Sequence, residues 1–334
     1  MSNDKKRKNI ILIAIIILSA ICIILFTILG INLANIKVEN NKKPVEIDNS
    51  YKLSNHKTVN FSGITYKQKD DGNFMVLSVD KTLTNADIRD KINENDVGSV
   101  NEIGEKAFED CTEITQINIS SSITKINSYA FSGCSKLKTI TIPYNVTEIG
   151  DSCFLNCKSL TSIKVNVSNT SFTQYNGVLY DIEGKKLYAY PYNKTDEAYK
   201  LADNLESIEK NAFRGFEKLK SVAFPENLKN IGESAFEDCK NLENVLILKN
   251  VTTIGANAFK NCSENLVIYG EKDSYAEKYA KENNITFKLA NERPNSTTGE
   301  NTQNQNVTDI TAQNTTNNNI ISENTLTNVK ENNI

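Results

Sequence analysis

Phenylalanine falls at residues 108, 131 and 154 and again at 213, 236 and 259, always 23 residues apart. A strict period of this length is the signature of stacked structural repeats, and it overrides any domain count drawn from the 334-residue length. The strings IGEKAFEDC, INSYAFSGC, IGDSCFLNC, IEKNAFRGF, IGESAFEDC and IGANAFKNC carry these phenylalanines. Between Phe154 and Phe213 the gap is 59 residues, one period plus 36, so one insertion interrupts one array.

Other apolar positions keep the same register. Val100, Ile123, Val146, Leu205, Leu228 and Val251 form one row, and Ile103, Ile126, Ile149, Ile208, Ile231 and Ile254 another. Beyond the cysteine row, Leu137, Ile140 and Ile142 are matched by Leu160, Ile163 and Val165, by Leu219, Val222 and Phe224, and by Leu242, Val245 and Ile247. The spacing of two at the end of each set is that of a short strand with alternating faces. Each unit therefore reads as a strand, a polar turn, a second short apolar element, and a tight helical turn bearing Ala, Phe and Cys. No unit buries its apolar residues alone; stacking at about 4.8 Å pairs the strands in parallel and aligns the rows into one core. The expected fold is a mainly β repeat solenoid of six coils, with parallel strands and short helical turns.

The pattern IGxxAFxxCxxLxxIxIP resembles the BspA-type leucine-rich repeat, a family of surface proteins, over roughly residues 61 to 289. Departures are Phe216 at the Cys position, Cys153 at the Ala position, Asn127 and Glu209 at the Gly position, and a last repeat whose strand shifts to Leu266 and Ile268. The resemblance implies a leucine-rich-repeat solenoid at a cell surface that works by binding.

A solenoid exposes its core at both ends, so atypical caps are expected. Residues 61–99 are read as an N-terminal cap built on a hairpin turning at Asp71 and Gly72. Repeats fill 100–289. Within them Ser274 and Glu277 predict a capping helix over about 274–283. The insertion, about 168–203, contains NGVLYDIEGKKLYAYP, a second hairpin turning at Glu183 and Gly184. Its Phe172, Tyr175, Tyr180, Tyr188, Tyr190, Tyr192 and Tyr199 suit either an interface or packing of the hairpin onto the solenoid, and packing is the favoured reading. Residues 290–334, rich in Asn and Thr, lack periodic apolar positions and are expected to be disordered.

Ahead of the repeats, Ile10–Ile31 contains no charged residue, and its length as a helix, about 33 Å, matches a hydrocarbon core of roughly 30 Å. It is read as one transmembrane signal anchor. Lys5, Lys6, Arg7 and Lys8 keep residues 1–9 as a cytoplasmic stub, which puts the polar stalk 32–60 and the C-terminal body outside the cell. A cleaved signal peptide is disfavoured because only a poor small-x-small site follows the apolar run. A net charge of -3 gives no general attraction to nucleic acid or anionic lipid.

Seven cysteines raise the questions of metal and disulfide. Cys111, Cys134, Cys157, Cys239 and Cys262 share one repeat position that also accepts Phe216, which marks a core site. Coil spacing leaves a bond between Cys134 and Cys157 geometrically open. No second cysteine pair or neighbouring histidine supplies a zinc set, and the only histidine, His56, lies before the repeats. No cofactor, metal or catalytic residue is nominated, and no enzyme is expected.

Outward strand positions of successive coils form ladders that offer an extended surface. The candidate ligand-binding face is Gln116, Asn118, Thr139, Thr141, Ser162, Lys164, Ser221 and Asn244, suited to an extracellular protein or glycan. Two readings of function follow: an adhesion or binding module without catalysis, or an envelope spacer or scaffold without a specific ligand.

Overall fold

A computed structural model of the chain describes residues 57–92 and 98–293. The expected anchor at 10–31, nearly all of the stalk, and the tail beyond Arg293 lie outside the described residues. Among the described residues no helix is long and apolar enough to cross a membrane.

The apolar rows fold into a mainly β solenoid of parallel strands. It opens with an antiparallel meander, β1 (Thr58–Phe61), β2 (Ile64–Gln68) and β3 (Phe74–Val79), and its first strand starts within the stretch read as stalk. Then come β4 (Asn85–Asp87), β5 (Val100–Ile103), β6 (Gln116–Asn118), β7 (Lys125–Ile126), β8 (Thr139–Ile142), β9 (Glu148–Ile149) and β10 (Ser162–Val165). The chain repeats this plan with a second meander, β11 (Phe172–Tyr175), β12 (Val178–Asp181) and β13 (Lys186–Ala189). After it follow β14 (Ala198–Lys200), β15 (Ser207–Ile208), β16 (Ser221–Ala223), β17 (Asn230–Ile231), β18 (Asn244–Ile247), β19 (Thr253–Ile254) and β20 (Val267–Gly270). The helix α1 (Tyr275–Glu282) and β21 (Thr286–Leu289) close the stack.

One side of the solenoid is two six-stranded sheets of identical design, β1-β2-β3-β5-β7-β9 and β11-β12-β13-β15-β17-β19. In each, an antiparallel meander hands over to parallel rungs at its third strand. The other side carries nine rungs, β4, β6, β8 and β10 and then β14, β16, β18, β20 and β21. There are thus more turns than the six coils expected, because both caps and the C-terminal strand add rungs.

The expected insertion is therefore not a decoration on one array. It is the cap of a second module. Ser62–Gly63 and Asn176–Gly177, 114 residues apart, both turn with φ near +50° and +80°. Both meanders shift register at the matching point, Thr65/Tyr66 and Leu179/Tyr180. Tyr66 and Tyr180, again matched, are both fully buried. The buried side chains form two clusters, one running from Ile64 to Leu179 and one from Val178 to Ala280.

The turns bearing Ala, Phe and Cys are not helical as expected. Each has two residues in the left-handed region four apart: Lys106 and Asp110, Tyr129 and Gly133, Ser152 and Asn156, Asn211 and Gly215, Ser234 and Asp238, Asn257 and Asn261. A left-handed residue reverses the direction of its peptide groups, so the N–H groups turn sideways rather than along a helix axis. They donate to the next coil: Lys106, Phe108 and Asp110 reach the carbonyls of Ser128, Ala130 and Ser132, and Ser234, Phe236 and Asp238 reach Ala256, Ala258 and Lys260. The turns are a third inter-coil ladder.

This ladder holds the phenylalanines in a column. Ring centroids are 5.3 Å apart from Phe108 to Phe131 and 5.6 Å from Phe131 to Phe154, and 4.8 and 5.3 Å along Phe213, Phe236 and Phe259. Tyr190 heads the second column at 4.6 Å from Phe213. At its foot, the Tyr279 hydroxyl of α1 accepts the Phe259 N–H at 3.3 Å, standing in for the missing next coil. Ser274 caps α1 by accepting the N–H of Glu277.

Candidate functional site

The cysteines belong to the same scaffold. The thiols of Cys134, Cys157, Cys239 and Cys262 each donate to the phenylalanine carbonyl of the preceding coil, at 3.1–3.3 Å. Cys111 and Phe216 stand in the first coil of each module, where no phenylalanine precedes, and Phe216 instead packs 4.8 Å from Tyr190. The six described cysteines are free thiols. Burial pushes the Cys111 thiol up to about 11 and those of Cys153, Cys157 and Cys262 up to about 12, so none is a ready nucleophile. Among the described residues no three His, Cys, Asp or Glu side chains are grouped to hold a metal.

The insertion's Tyr175, Tyr188, Tyr192 and Tyr199 are half-buried. Tyr180 and Tyr190 are buried, and Tyr180 shares a 2.9 Å hydrogen bond with the Tyr199 hydroxyl while Tyr190 donates to Asp196. Burial raises the pKa of all three. Between the modules, Phe154, Tyr188, Tyr190 and Asn211 line a cavity of about 20 Å³, room for a single water and nothing larger.

The eight residues predicted from the sequence lie on the outer strand faces. The structure splits the eight predicted residues between the modules. Ser162 lies beside Thr139 and Lys164 beside Thr141 in register, and Gln116 and Asn118 sit one rung earlier on β6. Ser221 pairs with Asn244 on the second module, half-buried. No rung joins the two groups. On the far side of β10, the Ile163 N–H donates to the Gly177 carbonyl at 2.9 Å, so the second cap's turn stands where the next strand would be.

Their internal commitments also differ. Gln116 donates to Asn118, which donates to Asp87. Asn244 accepts a 3.5 Å contact from Arg293, just beyond a 3-10 turn at Ala290–Glu292. Thr139, Thr141 and Lys164 are exposed, and their side chains, with that of Ser162, make no hydrogen bond or ion pair among the described residues. Elsewhere some exposed charges are paired between coils, as in Lys136–Glu113, Lys210–Glu233 and Lys240–Glu217 at 2.6–2.8 Å. Of the predicted face, Thr139, Thr141, Ser162 and Lys164 on the first module and half-buried Ser221 on the second are thus free of side-chain partners among the described residues. Two exposed apolar residues at its margin, Tyr144 and Val167, were missed by the sequence reading; a spacing of 23 residues between two bulky apolar side chains outside the core rows was the available signal.

The profile of the BspA type leucine rich repeat region matches in six copies, over residues 82–176 and 186–290. The chain belongs to this family. The two matched stretches meet inside the second meander, at the module boundary seen in the fold. Among solved structures, this BspA-type solenoid is similar to a leucine-rich repeat protein from Eubacterium ventriosum, with 21% identity, 66% of this chain and 73% of that one covered, and a TM-score of 0.45. It is also similar to the pneumococcal vaccine antigen PcpA, at 16% identity, 70% and 97% coverage and a TM-score of 0.41. A third is the leucine rich repeat protein of T. pallidum, at 20% identity, 70% and 99% coverage and a TM-score of 0.34. No curated protein matches the chain. The family is one of repeat proteins, and no enzyme family is indicated.

Proposed function

We propose that this BspA-type protein is a membrane-anchored cell-surface binding module, acting on an extracellular protein or glycan without catalysis through the outer face of β8 and β10. The observation that carries the reading is the contrast in commitments: Thr139, Thr141, Ser162 and Lys164 are presented in register on two adjacent rungs with no internal partner, while Gln116 and Asn118 on the preceding rung and Asn244 on the second module are engaged within the chain. Groups held in place and left unpaired lose little further freedom on binding, which is how a repeat face gains affinity. The uncharged run Ile10–Ile31 behind Lys5–Lys8 supports an anchor with the repeats outside the cell.

The test has two parts. Protease added to intact cells should remove the repeats while leaving a short membrane-bound fragment; protection of the repeats in intact cells would overturn the placement. The purified full-length chain is screened against matrix proteins and cell-wall glycan, and then compared with its Thr139→Ala, Thr141→Ala, Ser162→Ala, Lys164→Ala combination. That variant should lose about tenfold or more in affinity at unchanged thermal stability. Binding that ignores it would move the site elsewhere. A spacer without a specific ligand is the second reading, favoured by the engagement of Asn244 with the chain's own Arg293. It predicts no binding in the screen and altered envelope spacing when the repeats are shortened.

A further inference from the structure

We infer that Tyr144 and Val167, with Thr141 and Lys164 beside them, form a platform for a linear glycan whose sugar rings step from coil to coil along the solenoid axis; the inference rests on the binding reading above and names its ligand class. The two residues are 23 positions apart and so occupy the same place on successive coils, just past the ends of β8 and β10. Both project into solvent, Tyr144 at 46% and Val167 at 76% exposure. The matching residues of the second module are Glu226 and Lys249, so the apolar step belongs to the first module alone.

These side chains stand on clamped turns. Asn169, buried at 5% exposure, donates from Nδ2 to the Pro143 and Val146 carbonyls at 2.7 and 3.0 Å. Its Oδ1 accepts the N–H groups of Ser171 and Phe172 at 2.8 and 2.7 Å. Asn145 ties the same turn to the previous coil through the Ser121 carbonyl at 2.8 Å, and the Asn166 N–H reaches the Ile142 carbonyl at 2.9 Å. One amide side chain thus joins the turn of Tyr144 to the segment of Val167. Exposed apolar groups held this firmly are suited to a ligand that meets them without rearrangement.

Size decides between occupants. The exposed apolar surface of one tyrosine and one valine is on the order of 200 Å². A stable protein–protein interface needs about 800 Å² from each partner, with a contiguous apolar centre. A sugar ring needs far less: one flat C–H face against an aromatic ring, and hydroxyls at its edge for polar side chains. Thr141 and Lys164 supply that edge, each three residues before the apolar group of its own coil. The coil spacing of roughly 4.8 Å is close to the length of one pyranose in an extended chain, so successive sugars would meet equivalent positions.

The test is calorimetric titration of the full-length protein with cellohexaose, N-acetylchitohexaose and maltohexaose as probes. At least one should bind, and Tyr144→Ala and Val167→Asp should each weaken it about tenfold or more. Tyr144→Phe should stay within about twofold, because the ring and not the hydroxyl is used. Glu226→Ala, at the matching place in the second module, should change nothing, and thermal melts confirm that each variant is folded. Failure of all three probes to bind, or a Tyr144→Ala variant that binds like the parent, overturns the platform. If the Thr139, Thr141, Ser162 and Lys164 alanine variant loses sugar while Tyr144→Ala does not, the platform falls and the wider face stands. A dimer seen by sedimentation that Tyr144→Ala dissolves would also overturn it, assigning the patch to a second copy of the chain.

Discussion

The two modules, residues 58–165 and 172–289, share an interior and differ at their ends and faces. Each begins with a meander bulged at the same point, and each stacks a phenylalanine column on parallel rungs. The first cap opens the described solenoid, and there Leu83 packs over the Ser62–Gly63 turn. The second cap is a joint, and its Asn176–Gly177 turn bears directly on Ser162 of the first module. On the outer face the first module presents Asn118, Thr141 and Lys164, whereas the second presents Ala223, Leu246 and Tyr269, the last buried where the C-terminal turn lies against β20. One fold can therefore carry an open face and a closed one, because outward positions take no part in the column that holds the coils together.

The column is where the largest effect lies. Phe236 is stacked on both sides, by Phe213 and Phe259, and is fully buried. Phe154 ends its column, stacked on Phe131 alone and 8% exposed. Phe236→Ala should cost about 3–5 kcal/mol, and Phe154→Ala clearly less. Urea unfolding of both variants checks the order; equal losses would mean that the joint, with Tyr188 and Tyr190, supports Phe154 as fully as a coil would.

How far the sequence foretold this differs by element. The rows of Ile103, Phe108 and Leu137 are one-dimensional patterns, and stacking at fixed spacing converts them directly into a core. The left-handed turns were half legible: their second position is Asp110, Gly133, Asn156, Gly215, Asp238 or Asn261, residue types that tolerate positive φ, whereas at the first position Lys106, Tyr129 and Ser234 carry no such signal and donate to the neighbouring coil's carbonyls. The second cap was read as an insertion because its match to the first is short and lies outside the 23-residue period: Phe61, Gly63, Ile64 and Tyr66 answer to Tyr175, Gly177, Val178 and Tyr180 across 114 residues. The binding face was half legible. Alternation located Thr139 and Lys164 outside, but whether a polar side chain is free depends on partners such as Asp87 and Arg293, far away in the chain.

The thiols offer the next contrast. The first module holds Cys111, Cys134, Cys153 and Cys157, and the second Cys239 and Cys262. Burial raises all six above the ordinary thiol value of 9.0. Above pH 9 the unfolded chain gives up these protons while the folded one keeps them, so the unfolded state binds fewer protons and stability falls as pH rises. The contribution is whole below pH 9 and disappears progressively toward pH 11 to 12, where Cys111 and then Cys153, Cys157 and Cys262 ionise in the folded state. With four thiols against two, the first module should weaken first between pH 9 and 10; the buried Tyr180, Tyr190 and Tyr199 add to the second module's loss only above pH 10. Alkylation with peptide mapping should label Cys134 and Cys157 at lower pH than Cys239. The reverse order would show that the joint, not thiol burial, sets alkaline stability.

The two cap glycines separate joint from opening cap more gently. Both have φ near +80°, where a Cβ costs roughly 1–2 kcal/mol. At Gly63 the added atom would meet only the Leu83 side chain, at 2.9 Å, which can turn aside. At Gly177 it would meet Ser162 at Oγ, Cα and Cβ, within 2.7–2.9 Å, and backbone must move. Gly177→Ala should therefore destabilise more than Gly63→Ala by about 1 kcal/mol or more, and should disturb the Thr139–Ser162 face as well. Similar melting temperatures for the two would mean that the modules touch without bearing on each other.

The smallest effect belongs to the surface ion pairs, which are richest in the second module. Lys229–Glu206, Lys220–Glu197 and Lys240–Glu217 join adjacent coils at 2.6–2.8 Å, and the side chains of all six residues are one third to two thirds exposed. The pairing raises the pKa of Lys220 and Lys240 and lowers that of Glu206 through the hydrogen bond to its partner. Water and salt screen such pairs, and ordering two long side chains offsets most of what attraction remains. Lys220→Ala should leave the midpoint of urea unfolding unchanged within error, and raising the salt to 0.5 M should shift parent and variant alike, with added salt at about 3–5 Å screening length leaving little to lose. A resolvable loss in Lys220→Ala that salt abolishes would show the charged rows cooperating as a ladder, as the phenylalanines do, and would give the second module an exterior as structural as its core.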